Sequence, residues 1–141
     1  MSEKKKKLII WGLSFLIPII IMLIAYVVIG VFPFGNKSVL IMDASGQYVD
    51  IFAKYRDIIV NCKSVFYSWS KGLGGDVYSM FGYYAMSPLS LTLILVPIKF
   101  LTEGILALTL LKIGLCGLTF NYYLNKSFNK HDISTAIFST I

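Results

Sequence analysis

From Leu8 to Phe34 the chain carries no charged residue. At a 1.5 Å rise this stretch is longer than the ~30 Å hydrocarbon core of a bilayer, so the pattern predicts one tilted or kinked membrane helix, with Pro18 at the kink. The lysine run Lys4 to Lys7 precedes it directly. A cleaved signal peptide has the same two parts, but this apolar stretch is too long for a signal core and lacks a small-x-small cleavage site near its end. The anchor reading is preferred, with residues 1–7 as a cytoplasmic basic tail and 8–34 as the first transmembrane helix.

The pattern then turns polar from 35 to 79, an expected extracytoplasmic loop that holds nine of the chain's 20 charged residues. Within it Tyr48, Ile51, Phe52, Tyr55 and Ile59 recur at helical spacing, and Asp50, Lys54 and Asp57 fall off that stripe. This predicts an amphipathic helix over about 47–60, lying on the outer membrane surface or packed on the rest of the protein, with Asp50 and Lys54 as an i,i+4 pair. A glycine-rich turn at 71–76 and an aromatic patch of Tyr78, Phe81, Tyr83 and Tyr84 lead into a second apolar segment at 80–101, which contains Pro88 and Pro97. After a turn with Lys99, Glu103 and Gly104, a third segment spans 105–124. A fourth begins at 133 and reaches only 141, too short to cross, so the chain is expected to belong to a longer protein.

Counting three crossings from a cytoplasmic N-terminus puts Lys126 and Lys130 outside, against the positive-inside tendency. Either the proline-bearing second segment dips in without crossing, or two lysines are too few to overrule the first helix. The fold class predicted is an all-α membrane protein of three to four transmembrane helices with an outer loop holding the amphipathic helix.

Composition agrees: 57% hydrophobic residues and a mean hydropathy of +0.75 exceed what a 141-residue soluble domain buries. The net charge of +6 does not imply nucleic acid, because four of the 13 basic residues form the N-terminal run and serve topology. Cys62 and Cys116 fall at different membrane depths, and two free thiols are expected. With one histidine and no C-x-x-C, no metal site and no cofactor is predicted.

Candidate chemistry centres on three residues. Asp43, about nine residues past the first helix, lies close to the outer membrane face, where a partly desolvated carboxylate suits a general base; its bland alternative is a helix-capping or first-turn acid. Asp50, seven residues on, would share a face with it if the helix ran unbroken through Gly46. Lys112 lies inside an apolar run, placed to neutralise a lipid phosphate or simply to snorkel. Gly72-x-Gly74-Gly75 lacks the lysine and hydroxyl of a phosphate loop and reads as a turn. Asn36-Lys37-Ser38 and Asn125-Lys126-Ser127 fit a glycosylation pattern too short to carry weight.

The ordered set Asp43 with Gln47-Tyr48, Trp69-Ser70-Lys71-Gly72-Leu73-Gly74-Gly75, Tyr83-Tyr84-Ala85-Met86-Ser87-Pro88 and Leu111-Lys112-Ile113-Gly114-Leu115-Cys116-Gly117-Leu118 resembles the N-terminal portion of the YfhO family of bacterial multi-spanning membrane proteins. The resemblance implies the start of a GT-C-like fold and a glycosyltransferase that moves a sugar from a polyprenyl-phosphate donor to a cell-envelope polymer such as lipoteichoic acid. It implies Asp43 as catalytic base, Asp50 as the weaker candidate, and Lys71 and Lys112 as donor-phosphate ligands. A non-enzymatic accessory subunit of a transporter or envelope-assembly complex competes with this reading, as does, more weakly, a piece of a polyprenyl-lipid flippase.

Overall fold

The computed structural model describes residues 3–70, 73–129 and 132–140, without the side chains of Glu3, Lys4, Tyr83 and Tyr84. Helix accounts for 72% of the described residues, which makes the protein all-α. The chain forms two compact units, residues 1–37 with 109–141, and residues 38–108.

In the first unit, helix α1 (Glu3–Ile29) contains Pro18 and is apolar on every side. Leu16, Ile20, Ile21, Ile24 and Val28 are all exposed, as a helix solvated by lipid requires. Gly30, at φ +78, ends it: the Gly30 and Val31 amides both donate to the Tyr26 carbonyl, a left-handed helix stop that a side chain would strain.

Its partner is the distal part of helix α4 (Leu101–Phe128). At Gly117 an added Cβ would collide with the Ser14 carbonyl, and at Gly114 it would come within 2.7 Å of Ile19 and of the Phe15 ring. The two glycines therefore open the groove into which α1 fits, a small-residue contact suited to lipid, where close packing replaces the hydrophobic drive. Trp11 meets Tyr122 edge-on at 6.1 Å, and Lys6 reaches Asp132 at 3.8 Å. Partners on α1 fall in number as those on the distal chain rise, so the two helices are antiparallel and their basic ends lie together. Helix α5 (Ile133–Phe138) packs back along them, the Thr135 hydroxyl donating to Asn125 Oδ1 at 3.1 Å.

The second unit holds helix α2 (Val49–Val60), a short antiparallel hairpin of β1 (Tyr67–Ser68) and β2 (Gly75–Asp76), helix α3 (Tyr78–Tyr84), two 3-10 helices (Pro88–Leu95 and Ile98–Phe100) and the first two turns of α4. Its core gathers Ile51, Phe52 and Ile58 from α2, Val77, Phe81 and Ala85 at α3, Leu93 from the 3-10 segment, and Leu101 and Leu108 from α4. The inner residues of the α2 stripe are thus taken up by protein. Ile58 at 2% exposure takes the place expected for Ile59, which is 37% exposed.

The 80–101 stretch, expected as a membrane helix, is instead α3 followed by 3-10 turns. Pro88 starts the first 3-10 helix, whose end at Val96 is extended ahead of Pro97; a residue before proline is driven out of the helical region. Among the described residues two helical stretches are long and apolar enough to cross a membrane, Lys5–Ile29 and Ile98–Phe128. The expected turn around Gly104 is absent: Gly104 sits inside α4, where a Cβ would lie 3.0 Å from Val96 and 3.2 Å from Leu93.

Gly117→Ala should destabilise the protein by about 1–3 kcal/mol, because the added carbon meets backbone that cannot move aside. Gly12→Ala, with open space around it, should be neutral or slightly stabilising. Thermal unfolding of both variants in detergent checks the contrast.

Candidate functional site

The π-turn Ala44–Tyr48 runs directly into α2, and Asp43, helical itself, precedes it. Gly46 does not break the chain's helical path; the wider turn absorbs it, and such turns recur where proteins place functional groups. Asp43 is exposed and makes no capping hydrogen bond.

Seven residues beyond Asp43, Asp50 lines an open cavity of about 600 Å³ together with Gln47, Lys54, Asp57, Ser68 and Ser70, and with an apolar floor of Ile51, Val77 and Phe81. A smaller recess of about 300 Å³ continues past Lys54, Ser68 and Ser70 to Lys63, Tyr67 and Trp69. The hairpin brings the hydroxyls there: the Ser68 and Ser70 oxygens are 2.7 Å apart, and the Ser70 amide donates to Ser68 Oγ at 3.2 Å. Gly74, at φ +99, closes the turn beneath the Tyr67 ring, and the Asp76 carboxylate accepts the Tyr78 and Ser79 amides at 2.9 and 3.1 Å to start α3.

Charge is divided unevenly in this cavity. Asp57 accepts from Lys63 Nζ at 2.9 Å on both oxygens and from Asn61 Nδ2 at 2.7 Å, with Lys54 Nζ at 3.7 Å. The Lys63 and Asn61 hydrogen bonds hold its carboxyl below the usual carboxylate range. The left-handed Cys62, at φ +49, turns the chain so that Lys63 can reach back. Lys54 therefore leans towards Asp57, not towards Asp50 as its i,i+4 spacing suggests. Asp50 has no ion pair among the described residues.

Of the three predicted site residues that are described, Asp50 alone belongs to the cavity wall. Asp43 lies on the same helical run but outside that wall, Lys112 belongs to the first unit as part of α4, and Lys71 lies outside the described residues. Sequence reasoning overlooked Lys63, Asn61, Ser68 and Ser70, whose roles depend on a left-handed residue and a two-residue ladder that carry no pattern signal. Both cysteines are free.

An all-α chain with two helices of membrane length and lipid-facing apolar surface is a membrane protein, with lipid as its partner. The sequence model of the family described as bacterial membrane protein YfhO matches residues 14–141, and the chain belongs to that family. No curated protein and no solved structure matches the chain.

Because the folded Asp57 is more acidic than the unfolded one, its clamp contributes stability that is fully present above the ordinary aspartate range. That contribution is lost as pH falls through the depressed folded value. Amides at the C-terminal end of α2, residues 58–63, should open more readily at that acidic limit once intrinsic exchange rates are divided out. Asp57→Asn should show the opening already at neutral pH, read by hydrogen exchange with mass spectrometry.

Proposed function

We propose that the protein acts in sugar transfer: a membrane glycosyltransferase that takes a sugar from a polyprenyl-phosphate donor and places it on a cell-envelope polymer, such as lipoteichoic acid, at the outer face. The reading rests on membership of a bacterial membrane protein family and, above all, on Asp50, a carboxylate without an ionic partner among the described residues, in the wall of an open cavity that also carries the Ser68 and Ser70 hydroxyls and the Gln47 amide.

The topology that goes with it follows the positive-inside tendency. Antiparallel α1 and α4 bring Lys4 to Lys7 and Lys126 to one end, assigned here to the cytoplasm, so that two crossings leave the intervening stretch outside. The 80–101 segment then enters without crossing, which removes the charge conflict of a three-crossing count.

In the chemistry proposed, an acceptor hydroxyl attacks the anomeric carbon and the carbon–oxygen bond to the lipid phosphate breaks. The phosphate leaves with the electron pair, and a carboxylate takes the hydroxyl proton. Asp50 has the stronger claim to that proton on cavity geometry, and Asp43 stands as the alternative base seven residues earlier. Ser68, Ser70 and Gln47 are suited to hold sugar hydroxyls, and the exposed Trp69 offers a ring face for stacking. Lys112 and Lys71 are the proposed donor-phosphate ligands.

Asp50→Asn and Asp43→Asn, introduced singly into the native gene, separate the two carboxylates. The true base should lose about 10²- to 10⁴-fold in transfer of radiolabelled sugar from polyprenyl phosphate in membrane vesicles, with protein level unchanged. Full transfer in both variants excludes both carboxylates as the base, and transfer that persists undiminished when the gene is deleted would instead favour a non-enzymatic accessory role.

A further inference from the structure

Arg56 is the chain's only arginine, and it is half-buried on α2, away from the Asp57 clamp. Its Nε donates to the Ile94 carbonyl at 3.2 Å. The need for that bond is set by the sequence: in a 3-10 helix the Ile94 carbonyl would accept from the amide three residues on, and that residue is Pro97, which has none. Arg56 supplies the missing donor across 38 positions of sequence. The rest of its guanidinium, a fork of four N–H donors, has no partner among the described residues.

The segment it anchors is apolar and bare. Leu95 is 85% exposed, and Leu91, Ile98 and Phe100 are each about half exposed. Lys99 lies over the Phe100 ring, 5.5 Å from its centre. The segment leads directly into α4 at Leu101, which is itself buried in the core, and the membrane-length stretch starts at Ile98 within it. Bare Leu91, Leu95, Ile98 and Phe100 at the entry to a membrane-length helix, beside an arginine fork and a lysine over an aromatic ring, have the composition of a segment seated at the boundary between headgroups and acyl chains. Its backbone is fit for that place because the orphan carbonyl is already satisfied.

We propose that residues 88–100 lie in the bilayer interface where α4 enters, and that the Arg56 fork binds the phosphate of an anionic bilayer phospholipid. This reading is independent of sugar transfer and of the base assignment. It makes Arg56 a two-sided link, with Nε on the broken helix and the remaining donors on lipid.

The test uses the full chain in nanodiscs with and without phosphatidylglycerol. For depth, Leu95→Cys in a Cys62→Ser, Cys116→Ser background carries a fluorophore and is challenged with lipid-borne doxyl quenchers and with aqueous iodide. Quenching by the shallow doxyl lipid and shielding from iodide are expected; quenching by iodide, or protection from both, which marks burial against a protein partner, overturns the proposal. For the phosphate, co-purified phosphatidylglycerol is weighed against phosphatidylcholine by mass spectrometry. Arg56→Gln keeps an N–H donor for Ile94 and removes the charge, so its enrichment in phosphatidylglycerol should fall about five-fold relative to the native chain. An unchanged ratio overturns the phosphate assignment. The Leu95 measurement retains the native arginine, so a poorly folding Arg56→Gln does not remove the test.

Discussion

Gly117 has no side chain, and the space a methyl group would need is filled by the backbone of α1 at Ser14. Within the first unit much follows from that approach. It holds α1 and the distal part of α4 at backbone contact, sets their register so that Trp11 meets Tyr122, and lets Lys6 reach Asp132. In a bilayer, where lipid tails solvate leucine as well as another helix does, such a contact has to be made by fit. Pro18, buried beside Gly117, belongs to the same fit: a Cβ on Gly117 would lie 3.0 Å from its ring. The proline expected to kink the helix also forms part of its packing surface.

The second unit solves a different problem, the backbone polar groups left over when prolines interrupt an apolar segment. Pro97 deprives Ile94 of its donor and Arg56 replaces it. The replacement ties α2 to the 3-10 segment, while the Tyr55 ring meets Phe81 edge-on at 5.0 Å and ties the same helix to α3. Burial pushes the Tyr55 phenol up from its ordinary value. Stability and shape in this unit thus converge on one turn of α2, from Tyr55 to Ile58, whose four side chains serve ring packing, carbonyl capping, the carboxylate clamp and the core in succession.

What could be read from the residues follows the same division. The lysine-tagged first helix and the apolar third segment are legible because a bilayer imposes long, unbroken apolar runs. Helix α4 starts at Leu101, four residues ahead of the expected 105; Lys99, Glu103 and Gly104 resemble a turn, and Gly104 is small to admit Leu93 and Val96, which local pattern does not reveal. The apolar 80–101 stretch has the composition of a membrane helix, and its prolines decide otherwise. Ile58 and Ile59 both suit a 3.6-residue period from the stripe, and packing selects Ile58. At the candidate site, the acidic residues were visible, but the bond between Arg56 and Ile94 and the reach of Lys63 around Cys62 depend on non-local and left-handed geometry.

The division of charge along α2 is the feature that sets Asp50 apart. Asp57 draws in Lys63 and Asn61 at hydrogen-bond distance and Lys54 at 3.7 Å, which commits the basic side chains of the cavity wall to one carboxylate. Had Lys54 paired with Asp50 instead, both acids would be partly neutralised and neither would be available. As it stands, Asp57 is held ionised as part of the framework. Asp50, two turns earlier on the same helix, lines the open space with Gln47, Ser68, Ser70 and apolar side chains, alongside Lys54 and Asp57. With Lys54 drawn to Asp57, the Asp50 carboxylate has no cation paired to it among the described residues and can accept a hydrogen bond from a hydroxyl in the cavity. The clamp at Asp57 therefore does for Asp50 what no contact of its own could do.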